Sequence, residues 1–130
     1  MPETEDHWHA QETYRSMIEF GHGMLRFTFL ANGAAIISIL TFLGNLYTKG
    51  GTVPSMKGAL GLFIAGILLS GVATLTTYLI QFMLYNESIK NLDEDGWGSH
   101  VRWLYLTLAL IVASMAAFAG GAFCAVSQLQ

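Results

Sequence analysis

Uncharged apolar stretches dominate the pattern of the chain. No Asp, Glu, Lys or Arg occurs at 27–48, 58–86 or 103–130. Leu, Ile, Phe and Ala fill these stretches without alternating with polar residues, which favours helices over the strands of a membrane barrel. Because a bilayer core about 30 Å thick requires roughly 20 apolar residues of helix, each stretch is long enough to span it.

The predicted fold is an all-α membrane protein that forms one membrane domain over residues 1–130. An amphipathic N-terminal helix is expected to precede a bundle of three transmembrane helices. The first apolar run begins too late and is too long for a signal peptide, so the first span is expected to stay in the membrane. The predicted boundaries are a polar arm at 1–23 and spans at about 24–47, 58–86 and 103–128.

The arm carries a row of charged and titratable side chains that we call the charged stripe. Its members follow one another at the helical spacing of three and four residues, and opposite charges such as Arg15 and Glu19 are expected to pair. One interpretation is a solvated face of a helix at the membrane surface. The other is a seam that faces a partner helix, a vestibule or a soluble partner. The stripe consists of Glu12, Arg15, Glu19, His22 and Arg26.

A Gly-His-Gly tripeptide at 21–23 separates the arm from the first span. Glycine in a helix interior costs about 1 kcal/mol relative to alanine, so a pair of glycines here requires a structural reason. A bend where the arm leaves the membrane surface is our prediction. Close contact with another helix is the alternative.

Composition narrows the function classes. The chain is 53% hydrophobic and 12% charged, whereas soluble domains average about 25% charged residues. The net charge of −3 and the lack of a basic patch argue against nucleic-acid binding. The spans hold no charged residue at mid-depth, which argues against a proton relay or an ion-coupled transporter. The sequence also lacks the common catalytic motifs, so an enzyme is not expected.

Lysine and arginine predict the orientation of the bundle. Lys49 and Lys57 fall in the loop between spans one and two, and the other four cations fall on the opposite side. The positive-inside rule then places the N-terminus in the cytoplasm and the C-terminus in the periplasm. The four cations on the cytoplasmic side are Arg15, Arg26, Lys90 and Arg102.

Small residues recur at close-packing intervals along spans two and three. Small side chains four residues apart let helix backbones approach one another. They predict a compact bundle and, most strongly at Gly121 in span three, self-association. Asn32 and Gln81 are costly in lipid and are expected to face protein or water. The predicted packing residues are Gly66, Ser70, Ala113, Ala117, Gly121 and Ala125.

Two patterns suggest a cofactor or a metal. His22 and His100 both precede a span on the same side and are a possible pair of haem ligands. Asn91, Asp93 and Asp95 match the start of a calcium loop, but its twelfth position holds an arginine where a bidentate glutamate is required. We therefore expect no cofactor and no metal.

The first span contains the segment "FLANGAAIISILTFLGNL", preceded by a polar helix with Tyr-Arg-Ser. These features resemble small uncharacterised three-span proteins of the bacterial inner membrane. The resemblance covers residues 13–46 and the three-span layout. It implies a bacterial inner-membrane setting and brings no activity with it.

Three functional hypotheses follow. The first is a small membrane subunit or accessory protein that acts by interaction with a partner or with itself, as a homo-oligomer or in a larger membrane complex. The alternative is a homo-oligomeric pore or a holin-like effector, which requires several copies because three helices are too few to enclose an aqueous path. The third is a haem or quinone anchor subunit.

Overall fold

Three long α-helices make up the fold. In a computed structural model of the chain they are α1 (Glu3–Thr48), α2 (Lys57–Lys90) and α3 (Trp97–Ser127). No strand occurs among the described residues, so the predicted all-α class is confirmed. The structure describes residues 3–90 and 97–129, with side chains at 8, 9, 11–85 and 102–129.

Each helix contains a segment long and apolar enough to cross a membrane. Within the described residues these segments are Gln11–Thr48, Lys57–Tyr85 and Arg102–Ser127. Large apolar side chains on all three helices point outward, among them Ile37, Leu68 and Phe123. Such a surface is unfavourable in water and suits contact with lipid, so the fold is compatible with a multi-pass membrane protein.

The helices run up, down and up. As α1 proceeds from Thr28 to Asn32, its contacts on α2 move backwards from Ser70 to Gly66, so these two helices are antiparallel. The start of α2 lies beside the end of α3, because a Cβ placed on Gly58 would be 3.7 Å from the side chain of Gln128. The closest association is between α2 and α3, and α1 lies against that pair.

Three layers fill the centre of the bundle. Leu25, Ala73 and Ile111, one residue from each helix, form a buried apolar layer. At the far end, the rings of Phe63 and Phe118 lie 5.8 Å apart, centre to centre, and tie α2 to α3. Between these apolar layers lies a polar one.

The turn after α1 is closed by two glycines. The amide of Gly50 donates to the carbonyl of Tyr47 and that of Gly51 donates to the carbonyl of Leu46, both at 3.1 Å. This is the Schellman pattern of helix termination, which requires a left-handed residue immediately after the helix. Gly50 occupies that position with φ of 70°, a conformation that glycine adopts without a steric penalty.

The predicted arm is not a separate element. α1 continues without interruption through the Gly-His-Gly tripeptide, and its 46 residues correspond to a rod of about 69 Å. Within the described part of the chain, no atom of another element lies within 4 Å of a Cβ placed on Gly21 or Gly23, so no close helix contact occurs there among these residues. Because a hydrocarbon core is about 30 Å thick, much of α1 must lie outside it.

Candidate functional site

A buried group of polar residues joins all three helices at the centre of the bundle. We call it the polar cluster. Its side chains are between 0% and 2% exposed, and they are the largest fully buried side chains among the described residues. Polar groups are costly to bury unless they find hydrogen-bond partners, and most of all in a membrane. The cluster consists of Thr28 and Asn32 from α1, Gly66 and Ser70 from α2, and Ser114 from α3.

Short hydrogen bonds connect the helices through these side chains. The hydroxyl oxygens of Ser70 and Thr28 lie 2.9 Å apart, and those of Ser70 and Ser114 are separated by the same distance. Ser114 Oγ also donates to the backbone carbonyl of Gly66 at 2.8 Å. Asn32 Nδ2 donates to Ser114 Oγ over a longer distance of 3.4 Å. Ser114 therefore contacts both other helices.

Each hydroxyl has one proton to donate, and this determines the donor in most hydrogen bonds of the polar cluster. Thr28 Oγ1 donates to the carbonyl of Leu25 at 3.0 Å, and the Ser114 proton is used on Gly66. The single hydroxyl proton of Ser70 then has two acceptors within reach, Thr28 Oγ1 and Ser114 Oγ. Each side-chain donor of the cluster therefore has an acceptor, and the Ser70 proton can alternate between α1 and α3.

The orientation of the Asn32 amide is set by the backbone. Nδ2 lies 2.8 Å from the carbonyl oxygen of Thr28, which accepts a hydrogen bond and cannot donate one. The amide nitrogen must therefore face that carbonyl, and Oδ1 points the other way. Oδ1 is the one buried side-chain polar atom without a partner among the described side chains.

Gly66 provides the space that Asn32 occupies. A Cβ placed on Gly66 would overlap the end of the Asn32 side chain and would lie 2.7 Å from Nδ2. A Cα hydrogen of Gly66 occupies this direction instead and points toward Oδ1, the geometry of a weak Cα–H···O contact. A larger residue at position 66 must either displace the Asn32 side chain from its hydrogen bonds or push α1 away from α2. Glycine at this point is thus a packing requirement.

The chemistry of the polar cluster is that of a helix clamp. It contains hydroxyls and one amide, with no carboxylate, imidazole or amine to take a proton from a nucleophile. Interhelical hydrogen bonds of this kind in membranes contribute about 0.6 kcal/mol each on average. Their value here is that they fix which helix faces which, and at what height.

The predicted packing residues fall into three groups by burial. Gly66, Ser70 and Gly121 are buried within the chain, Ala117 and Ala125 are half-buried, and Ala113 is exposed. A Cβ placed on Gly121 would lie 2.8 Å from the ring of Phe63. Gly121 therefore makes room for a side chain of the same molecule, and self-association through this face stays a prediction.

The charged stripe lies outside the packed centre. Glu12, Arg15, Glu19, His22 and Arg26 are all exposed. Arg15 Nε and Glu19 Oε1 lie 3.6 Å apart, as expected, and form the one ion pair among the described side chains, each more than 70% exposed. The first buried side chain of α1 is Leu25, so the stripe members before it precede the packed part of α1, and Arg26, the next residue, is itself exposed.

The remaining predicted sites stay untested. His22 is exposed, and the side chain of His100 lies outside the described side chains. Asn91, Asp93 and Asp95 lie outside the described residues. Within the described residues, no three side chains of His, Cys, Asp or Glu come together as metal ligands.

Part of the polar cluster was predictable from the sequence. Asn32 was expected to face protein or water, and its burial within the bundle confirms this. Gln81, for which the same was expected, is exposed, and whether it faces water stays a prediction. The spacing of residues did not reveal that Asn32 and Gly66 lie opposite each other. The signal available in the sequence was a bulky amide in one span and a glycine in the next.

The fold and its central clamp define the class of the molecule: an all-helical chain whose three helices can each cross a membrane, held by buried hydroxyls and an amide. No family model matches the chain, and comparisons with curated proteins and with solved structures give no significant match.

Proposed function

We propose that this chain is a small integral membrane protein that acts by binding a partner, with the N-terminal part of α1 as an amphipathic docking arm. In this proposal it lies in a bacterial inner membrane, with the arm in the cytoplasm and the C-terminus in the periplasm. It catalyses no reaction and carries no cofactor.

The observation that carries the proposal is the isolation of the arm. None of the described side chains between residues 8 and 24 is buried, although this stretch is helical throughout. Large apolar residues are exposed here as well as charged ones: Met17 is 59% exposed and Phe20 is 76% exposed. A helix that is not stabilised by its own chain requires another surface, which is either lipid or a partner.

The polar cluster supports an interaction role over a single-chain pore. Asn32, Ser70 and Ser114 are fully buried at the centre of the bundle, which leaves no aqueous path through the bundle at that level. Transport through one copy would require such a path to be lined by polar groups that are open to water. A bundle whose three helices are joined by these hydrogen bonds can anchor the arm in the membrane.

Affinity purification tests the proposal. The tagged protein is extracted from native membranes with a mild detergent, and the proteins that accompany it are identified by mass spectrometry. We expect Arg15→Glu to reduce the recovery of at least one specific partner several-fold. Lys49→Glu is the matched control, because it reverses another exposed cation, in the loop after α1. Equal recovery with both variants would contradict the docking role of the arm.

A second candidate function, a homo-oligomer or a pore made of several copies, is favoured by a polar row on α1. Ser38, Thr41 and Asn45 are exposed at helical spacing within the first span. Ser38 bonds its own helix at Ala34, whereas Thr41 and Asn45 have no side-chain hydrogen bond to the described part of the chain. Polar side chains that face lipid gain hydrogen bonds when two helices associate.

This candidate is tested by replacing the polar row with apolar residues of similar shape, Thr41→Val together with Asn45→Leu. We expect a self-associated protein to become a monomer in mild detergent, measured as molar mass by light scattering. Thr48→Val, at the exposed end of the same helix, is the control and should leave the mass unchanged. A wild-type protein that is monomeric in lipid nanodiscs would exclude both the oligomer and the pore.

A further inference from the structure

An open groove of about 710 Å³ lies between α1 and α2, on the side where α1 leaves the bundle. It differs from the polar cluster because it opens outward instead of being closed within the bundle. One end is charged and the other is apolar. Its lining residues are His22, Leu25, Arg26, Phe29, Leu30 and Thr74.

The groove lies at a depth where headgroups meet hydrocarbon. Arg26 is the last charged residue before the uncharged stretch 27–48. That stretch corresponds to about 33 Å of helix, close to the thickness of a bilayer core. Arg26 therefore lies at the boundary if the far end of α1 lies at the other, and Phe29 and Leu30 point toward the hydrocarbon below it. The hydroxyl of Thr74 donates to the carbonyl of Ser70 at 2.9 Å, so this donor of the groove lining already has an acceptor.

The charge at the upper end of the groove is positive. The nearest acidic side chain along the helix, Glu19, is paired with Arg15 on the side away from Arg26. Among the described side chains, neither Arg26 nor His22 forms an ion pair. An arginine guanidinium presents a planar fork of donors that matches the oxygens of a phosphate. An unpaired arginine above an apolar groove is thus complementary to a molecule with an anionic head and an apolar tail.

We propose that this groove binds an anionic phospholipid, with its phosphate on Arg26 and His22 and one acyl chain along Leu25, Phe29 and Leu30. The occupant reaches the groove by lateral diffusion in the bilayer, because the groove opens toward the surrounding lipid. Leu30 is 63% exposed and Phe29 is 50% exposed, which is the apolar area that an acyl chain would cover. The proposal rests on membrane insertion and is independent of any protein partner.

Native mass spectrometry of the purified protein tests this site. The protein is mixed with equal amounts of phosphatidylglycerol and phosphatidylcholine that carry the same acyl chains. We expect the wild type to retain the anionic lipid at least fivefold over the zwitterionic one. Arg26→Gln should bring this ratio close to one, and Arg26→Lys should keep part of it. Arg15→Gln removes a cation of the same stripe that lies about 16 Å from Arg26 along the helix axis, and it should leave the ratio as in the wild type.

A second variant tests the apolar part of the groove. Leu30→Trp fills the lower groove, so we expect several-fold less bound lipid of both kinds with the preference for the anionic headgroup retained. Displacement of the lipid by inorganic phosphate at millimolar concentration would overturn the proposed role of the acyl chain. The same ratio for Arg26→Gln and Arg15→Gln would overturn the role of Arg26, provided that circular dichroism shows both variants to be helical.

Discussion

The polar cluster and the charged stripe lie on the same helix and use polar residues in opposite ways. Asn32 is fully buried, contacts α2 and α3, and has its orientation fixed by a backbone carbonyl. Arg15 and Glu19 pair at 3.6 Å with most of their surface open. Burial magnifies the cost of an unmade hydrogen bond, whereas water and salt weaken an exposed ion pair. The first region should therefore control stability, and the second should control what the molecule binds.

The largest effect on stability is expected from Gly66→Ala. The new methyl group would overlap the Asn32 amide, so either α1 moves away from α2 or Asn32 loses its hydrogen bonds. Overpacking of this kind costs about 1–3 kcal/mol of the free energy of unfolding, and the broken hydrogen bonds add to it. The measurement is unfolding in mixed micelles with increasing sodium dodecyl sulfate.

Gly61→Ala is the matched control for this variant, since a Cβ placed on Gly61 meets no atom within 4 Å. Alanine is favoured over glycine in a helix, so this variant should be as stable as the wild type or slightly more so. If Gly61→Ala and Gly66→Ala unfold at the same sodium dodecyl sulfate content, the contact between Asn32 and Gly66 does not constrain the packing.

The next largest effect is expected from Gly121→Ala, which tests the apolar layer between α2 and α3. Its methyl group would lie 2.8 Å from the buried ring of Phe63, whereas the same change at Gly120 finds its nearest atom at 3.5 Å. We expect a loss of about 1–2 kcal/mol for Gly121→Ala and little change for Gly120→Ala. The readout is the rate at which a maleimide labels Cys124, the single cysteine of the chain.

Labelling should be faster in Gly121→Ala because opening of the helix pair exposes the half-buried thiol one turn away. Equal rates in the two glycine variants would mean that Gly121 faces open space, as the self-association prediction requires.

A smaller effect is expected from Ser114→Ala, which removes one hydroxyl from the polar cluster. The carbonyl of Gly66 loses its donor and Asn32 loses an acceptor. Interhelical hydrogen bonds in membranes contribute about 0.6 kcal/mol each, so a loss near 1 kcal/mol is expected in the unfolding titration. Ser127→Ala removes a hydroxyl that bonds its own helix at Cys124 and should be close to neutral.

The smallest stability effect is expected in the charged stripe. Glu19→Lys breaks the pair with Arg15, and an exposed pair contributes less than about 0.5 kcal/mol. Unfolding should therefore be nearly unchanged while binding of the proposed partner falls, and Arg15→Glu in the same chain should restore part of the binding. A clear drop in stability would show that the stripe is part of the packed structure.

Particular residues show which features of the fold the sequence predicts and which it does not. The helix class and the segments able to cross a membrane follow from the distribution of charge, because lipid excludes both charged side chains and unpaired backbone. An amide is costly in lipid, so Asn32 was predicted to face protein or water, and it faces protein. Its partner was not predictable, since the registry between α1 and α2 depends on the length and shape of the turn that joins them.

The arm is a second region whose structure the sequence predicts only in part. Its helical spacing was visible in the sequence, and α1 is helical there. A bend was expected at Gly21 and Gly23, where the arm meets the first span, but the helix continues through both residues. Two glycines weaken a helix by about 2 kcal/mol, which good helix-forming neighbours can offset. Sequence alone does not decide between these outcomes, and it does not identify what the arm binds.

The most direct test of the central claim, that Asn32 and Gly66 set the packing of α1 on α2, is a double-mutant cycle. Asn32→Ala, Gly66→Ala and the double variant are compared with the wild type by unfolding in mixed micelles. If the two residues share one space, the double variant fills the vacated volume with the new methyl group. It should then be more stable than the sum of the single effects predicts, by at least about 1 kcal/mol. Additive losses would contradict the account.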